Sequence, residues 1–79
     1  MAEIKELDFL YCVICLKNKI FCGSNSGEIY EFDYKPETNE FKYLAKFQIH
    51  ESSIFTITKT SYGELVTTSR DGTIKFFKI

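Results

Sequence analysis

The sequence predicts an all-β protein made of two consecutive antiparallel four-stranded units, and three observations lead there. Short runs rich in β-branched and aromatic residues alternate with clusters of Gly, Asn, Asp and Ser along the whole chain. Residues 20–32 can be laid over residues 65–77 at a constant offset of 45, with Ser24/Ser69, Gly27/Gly72, Ile29/Ile74 and Phe32/Phe77 coinciding. Hydrophobic residues make up 44% of the 79-residue chain and aromatics 16%, a composition that calls for packing rather than disorder.

Each unit holds four strands, labelled a to d from the innermost outward. Residues 3–7 read as an outer strand d, followed by strand a over Leu10 to Leu16. Lys17-Asn18 suits a two-residue hairpin, because Asn tolerates positive φ. Strand b covers Lys19 to Ser24, and Asn25-Ser26-Gly27 is a tight turn in which Gly takes the left-handed conformation. Strand c covers residues 28–34. The polar loop 35–40 contains the single Pro, which cannot sit in a central strand. The order then repeats: strand d at 42–49, a at Ile54 to Lys59, a turn at Ser61-Tyr62-Gly63, b at Glu64 to Ser69, the turn Arg70-Asp71-Gly72, and c at 73–79. Upstream of strand b the offset falls to 43, pairing Tyr11 with Ile54 and Ile14 with Ile57, as though the Lys17-Asn18 turn were two residues shorter than its counterpart. The units are therefore 1–40 and 41–79, together one partial domain, with a period in the range of a propeller blade.

Charge and cysteine content narrow the function classes. Ten Lys and Arg against eleven Asp and Glu leave a net charge of −1, with both signs scattered, so nothing in the balance favours nucleic acid or an anionic membrane. The N-terminus carries acids where a secretory signal carries positive charge. The longest apolar run, Phe9 to Leu16, is far short of the about 20 residues a spanning helix needs. A soluble, cytoplasmic protein is expected, with the nucleus left open. Cys12, Cys15 and Cys22 are an odd number and do not suggest a disulfide framework. Cys12 and Cys15 have the spacing of a metal motif, but residues three apart on a strand point to opposite faces, so buried thiols are expected and no metal or other cofactor.

With those elements in place, the second unit resembles a WD repeat of the β-propeller family, and the resemblance extends over the whole chain. His50 stands at the family's His position, Ser69-Arg70-Asp71-Gly72-Thr73-Ile74-Lys75 fits the turn between strands b and c, and Phe77 sits where Trp is usual. Ile49 replaces the family's Gly and Lys78 its final Asp. The resemblance implies a structural hydrogen-bonded group of His50, Asp71, Thr67 or Ser69, and the residue at 77, reduced here because Phe77 has no N–H to donate. The first unit is more degenerate, with Leu7 at the His position, Ser26 at the turn Asp, and Phe32-Asp33 for the Trp-Asp ending.

His50, Asp71 and Ser69 are the residue types of a nucleophilic triad, yet the resemblance implies that they are buried and structural, so no enzyme is predicted. The expected function is a protein-interaction scaffold that binds protein or peptide partners through propeller loops. The resemblance places the binding positions at Asp8, Phe9, Asn25, Glu51, Ser52, Ser53 and Arg70. Arg70 is the strongest candidate, since its planar donor fork suits a carboxylate or phosphate. Two alternatives make different predictions: a nucleic-acid-binding propeller predicts a steep salt dependence, and a ligand-binding barrel closed by all eight strands predicts a monomer with an apolar cavity. Propeller blades are covered on both faces and rings hold about four to eight of them. Two blades therefore need more, from the same longer chain or from homo-oligomerisation, in which residues 3–7 of one copy would pair with residues 73–79 of another. The aromatics Phe21, Tyr30, Phe32, Phe55, Phe76 and Phe77 are expected to fill the space between packed sheets.

Overall fold

Seven strands and no helix run through residues 8–78, the part of the chain that the computed structural model describes. They are β1 (Leu10–Leu16), β2 (Lys19–Ser24), β3 (Glu28–Lys35), β4 (Glu40–Gln48), β5 (Ile54–Lys59), β6 (Glu64–Ser69) and β7 (Ile74–Lys78). The outer strand expected at residues 3–7 lies outside the described residues, as does Ile79 at the end of the last strand. Among the described residues no helix is long and apolar enough to cross a membrane.

All strand pairs are antiparallel neighbours in sequence, in one four-stranded sheet β1-β2-β3-β4 and one three-stranded sheet β5-β6-β7. The boundary between sheets therefore falls in residues 49–53 rather than at 40/41. The d-type strand β4 adds to β3 of the first sheet, so the sequence repeat, which begins on that strand, runs one strand out of phase with the sheet. The seven described strands form two separate sheets and do not close on one another as a single barrel.

Turn chemistry explains most of the boundaries. Gly27, Gly63 and Gly72 take φ of 87°, 83° and 87° at the three turns where left-handed backbone is needed. In the β1–β2 hairpin it is Lys17, with φ 53°, and not Asn18, that is left-handed. Asn39, φ 57°, closes the loop before β4 in the role the sequence suggested for Asn18. Equivalent bulges interrupt β1 after Leu10 and β5 after Ile54. Leu10 pairs with Ser24 as Ile54 pairs with Ser69, and Val13 pairs with Cys22 as Ile57 pairs with Thr67. The inner strands are thus related by an offset of 44 rather than 43, the β5–β6 turn being longer by a single residue.

Strand alternation sends Cys12, Ile14, Leu16, Phe21 and Ile29 of the first sheet toward Ile54, Ile57, Leu65 and Phe77 of the second, and this inter-sheet cluster is the main core. Gly23 sits beneath Ile54, where an added Cβ would come within 2.8 Å of the Ile54 Cγ2 methyl, so a glycine lets the sheets approach. The opposite face of the first sheet carries a second cluster of Cys22, Tyr30 and Phe32, packed by Ile20 and Phe41. Tyr43 completes this face with an edge-on contact to Phe32, ring centroids 5.8 Å apart. Among the six aromatics expected between the sheets, only Phe21 and Phe77 lie there. Tyr30 and Phe32 belong to the outward cluster, while Phe55, at the β5 bulge, and Phe76 are exposed. The pleat, not residue size, decides the face. Cys12 packs inward and Cys15 is exposed on the other face, so the two do not converge.

Candidate functional site

One end of the sheets gathers residues 8–9, the β2–β3 turn, the β4–β5 loop and the β6–β7 turn. The β4–β5 loop is seated on the first turn by backbone: the N–H groups of Ile49 and His50 both donate to the Gly27 carbonyl at 3.0 Å. Gln48 adds side-chain bonds to the carbonyls of Ser26, at 2.9 Å, and His50, at 2.6 Å. Only glycine fits at 27, because a Cβ there would overlap the His50 carbonyl oxygen and lie 2.8 Å from the Ser52 carbonyl oxygen.

The same loop is clasped to the second sheet through His50, whose side chain is fully buried. Its Nδ1 lies 2.9 Å from Thr73 Oγ1 and 3.2 Å from Asp71 Oδ2, and its Nε2 lies 2.7 Å from Thr67 Oγ1. Thr73 Oγ1 already donates its proton to Asp71 Oδ1, so it accepts from the ring. This network calls for a proton on Nδ1, and Nε2 bonds the Thr67 hydroxyl. Asp71 also receives the N–H groups of Glu51, at 3.0 Å, and Thr73, at 2.9 Å. The expected trio of His50, Asp71 and Thr67 is therefore assembled, with Thr73 as a fourth member that the sequence comparison passed over. Ser69 stands apart from His50: its hydroxyl donates to the carbonyls of Ser52 and Ser53 and accepts the Asp71 N–H. Phe77 contributes no polar contact and packs on the inter-sheet core.

Hydrogen bonds from the Thr73 hydroxyl first, then from the Glu51 and Thr73 N–H groups and His50, hold the Asp71 carboxyl well below the usual carboxylate range against the opposing effect of burial. A depressed carboxyl contributes stability that is complete above its unfolded pKa of about 3.9 and is lost as pH falls through the lower folded value. Chemical denaturation of the wild type is therefore expected to lose stability in acid below pH ~4. Asp71→Asn should be less stable at neutral pH and flatter across that window, and an unchanged acid slope would remove Asp71 from this role.

In the first repeat the clasp is inverted. Ser26 occupies the turn position, and the acid is Asp8 on the preceding segment, whose Oδ2 accepts the Ser26 N–H at 2.8 Å and whose Oδ1 accepts the Phe9 N–H at 2.8 Å. In one repeat the turn reaches back to the loop with a carboxylate; in the other the loop reaches forward to the turn. Contacts to Ser26, its hydroxyl foremost, and to the Phe9 N–H lower the Asp8 pKa.

All seven predicted binding residues fall at this end, but their side chains differ in availability. Ser53 is buried, donating to the Asn25 carbonyl and to Asn25 Oδ1 at 2.9 Å, so it is removed from the binding surface by its place in the scaffold. Asn25 Oδ1 also accepts from the Tyr11 hydroxyl, 3.0 Å away. Asp8 is committed to its clasp and Ser52 is half-buried. Phe9, Glu51 and Arg70 are exposed. The Arg70 N–H is fixed to the Ser53 carbonyl at 2.9 Å, while its guanidinium has no ion-pair partner among the described residues. Elsewhere, burial pushes the Cys22 thiol up to about 11 and raises that of Cys12, so neither is a thiolate at neutral pH.

No protein-family model and no curated protein matches the chain. Solved structures do: it superposes on the computationally designed Ika4 protein with a TM-score of 0.70 and 21% identity, over 89% of this chain and 41% of that one. The computationally designed Ika8 protein gives the same TM-score and identity over 89% of this chain and 20% of its own. At that identity the likeness is one of fold, and the chain spans well under half the length of either design.

Proposed function

We propose that the chain is a non-catalytic protein-interaction scaffold of WD-type repeats, each sheet a blade of a β-propeller, with the partner bound at the loop end. The observation that carries this is the buried clasp of His50, Asp71, Thr67 and Thr73, which spends its titratable groups on holding the β4–β5 loop. His50 is fully buried and every polar contact of Ser69 is made to the loop and turn backbone, so these two do not face solvent together as a nucleophile and base. Phe9, Glu51 and Arg70 are left exposed at this end of the sheets.

Arg70 is the centre of that group, its backbone fixed and its donor fork free for a carboxylate or phosphate on a protein or peptide. Peptide arrays of acidic and phosphorylated sequences, probed with the wild type and with Arg70→Ala, test the assignment. A charge-assisted bond is worth about 1.5–3 kcal/mol, so Arg70→Ala should weaken the retained peptides about tenfold or more without lowering the melting temperature. Equal retention by both proteins would reject Arg70 as the recognition residue, and a large fall in melting temperature would make it structural.

A further inference from the structure

We infer that the two outward faces of this molecule are made for each other, so that the β1–β4 sheet of one copy docks on the β5–β7 sheet of a second copy, head to tail. The basis is the repeat relation between the sheets. Over the three strands the sheets share, β1–β3 and β5–β7, the face of the first sheet that is buried against the second is equivalent in register to the face of the second sheet that points away, and the converse also holds. Each of the five buried residues of the inter-sheet cluster has an apolar counterpart on one of the open faces: Phe21 corresponds to Val66, Ile29 to Ile74, Ile54 to Leu10, Ile57 to Val13, and Leu65 to Ile20, while the partly buried Cys12 and Ile14 correspond to Thr56 and Thr58. Three of these pairs show what is left open. Ile54 is 0% exposed and Leu10 41%; Ile57 is 8% exposed and Val13 59%; Ile29 is 0% exposed and Ile74 64%.

The open faces are apolar or hydroxylic where they would meet. Leu10, Val13, Cys15, Ile20 and the buried Cys22 line the inner strands of one, and Thr56, Thr58, Val66, Thr68, Ile74 and Phe76 line the other; the charged side chains on these faces stand at their margins, Glu64 and Lys78 beyond Val66 and Phe76, and the ion-paired Glu28 and Lys46 beside Tyr30. One crowded position is eased in part. Gly23, which makes room for Ile54, corresponds to Thr68, which carries a Cβ; the residue that would meet Thr68 is Leu10, which lacks the Cγ2 methyl by which Ile54 comes within 2.8 Å of a Cβ at 23. The turn seat is also open: a Cβ at Gly27 would run into the His50 and Ser52 carbonyls, whereas one at its counterpart Gly72 would meet no atom within 4 Å among the described residues beyond its chain neighbours. Because the two patches differ, the contact is heterologous, and closure into a ring of about four to eight sheets corresponds to two to four copies.

This inference shares with the proposed function only the repeat relation between the sheets, so ring formation and Arg70 recognition can fail separately. Two variants, Val13→Glu on the first sheet and Ile74→Glu on the second, each block one face at an exposed position. By light scattering at micromolar concentration each alone should have the 9.2 kDa monomer mass, and an equimolar mixture should form a heterodimer through the two intact faces. Self-association of either single variant, or a mixture that stays monomeric while both proteins melt cooperatively, would overturn the head-to-tail contact.

Discussion

Gly27→Ala is expected to lose about 3–5 kcal/mol of stability, the sum of two independent costs. The residue has φ 87°, which a β-carbon makes unfavourable by about 1–3 kcal/mol. Its Cβ would also be driven into the His50 and Ser52 carbonyls, and neither can retreat without breaking the bonds from the Ile49 and His50 N–H groups to the Gly27 carbonyl. Gly72→Ala is the internal control, since it has the same φ of 87° but open space around it, and should lose only the dihedral cost of about 1–3 kcal/mol. Both are best measured by urea denaturation in the Val13→Glu background, which removes association. Equal losses at the two glycines would mean that the loop is not seated on the first turn.

His50→Ala is the second large effect, with an expected loss of about 3 kcal/mol. The ring is buried, so its removal leaves a cavity, and it orphans the hydroxyl of Thr67, which is itself wholly buried. That gives the prediction a sign as well as a size. Thr67→Val alone should cost about 1 kcal/mol by breaking the bond to Nε2, yet in the His50→Ala background it should stabilise, because an unpaired buried hydroxyl is exchanged for a methyl. Additive losses in the double variant would mean that the His50–Thr67 contact contributes nothing specific.

Strand positions were legible because hairpin chemistry is local. Four strands, β1, β2, β5 and β6, have the limits read from the sequence, and these are the segments bounded by short turns. The errors all arise where a through-space relation decides. Composition does not fix pairing register, so the offset along β1 and β5 is 44 rather than the expected 43, the β5–β6 turn being one residue longer than the β1–β2 turn instead of two. Lys17 takes the left-handed position because the hairpin geometry demands it of the first turn residue, whatever its propensity. At the clasp, His50, Asp71 and Thr67 were visible as residue types at family spacing, but Thr73 entered only because its hydroxyl folds back on Asp71 and meets Nδ1. Asp8 reads from the sequence as a binding position because nothing local shows that its carboxylate reaches Ser26, 18 residues away. Phe55 and Phe76 read as core because aromatics favour interiors, whereas the register of Phe76 opposite Val66 turns it outward and the β5 bulge leaves Phe55 exposed.

The two sheets are repeats stacked in one sense, and this relation leaves a donor face and an acceptor face on each molecule. The solution mass of the unmodified chain at micromolar concentration tests it most directly. The account predicts a single species at a whole multiple of 9.2 kDa, between two and four copies, and a cooperatively melting monomer of 9.2 kDa would contradict it.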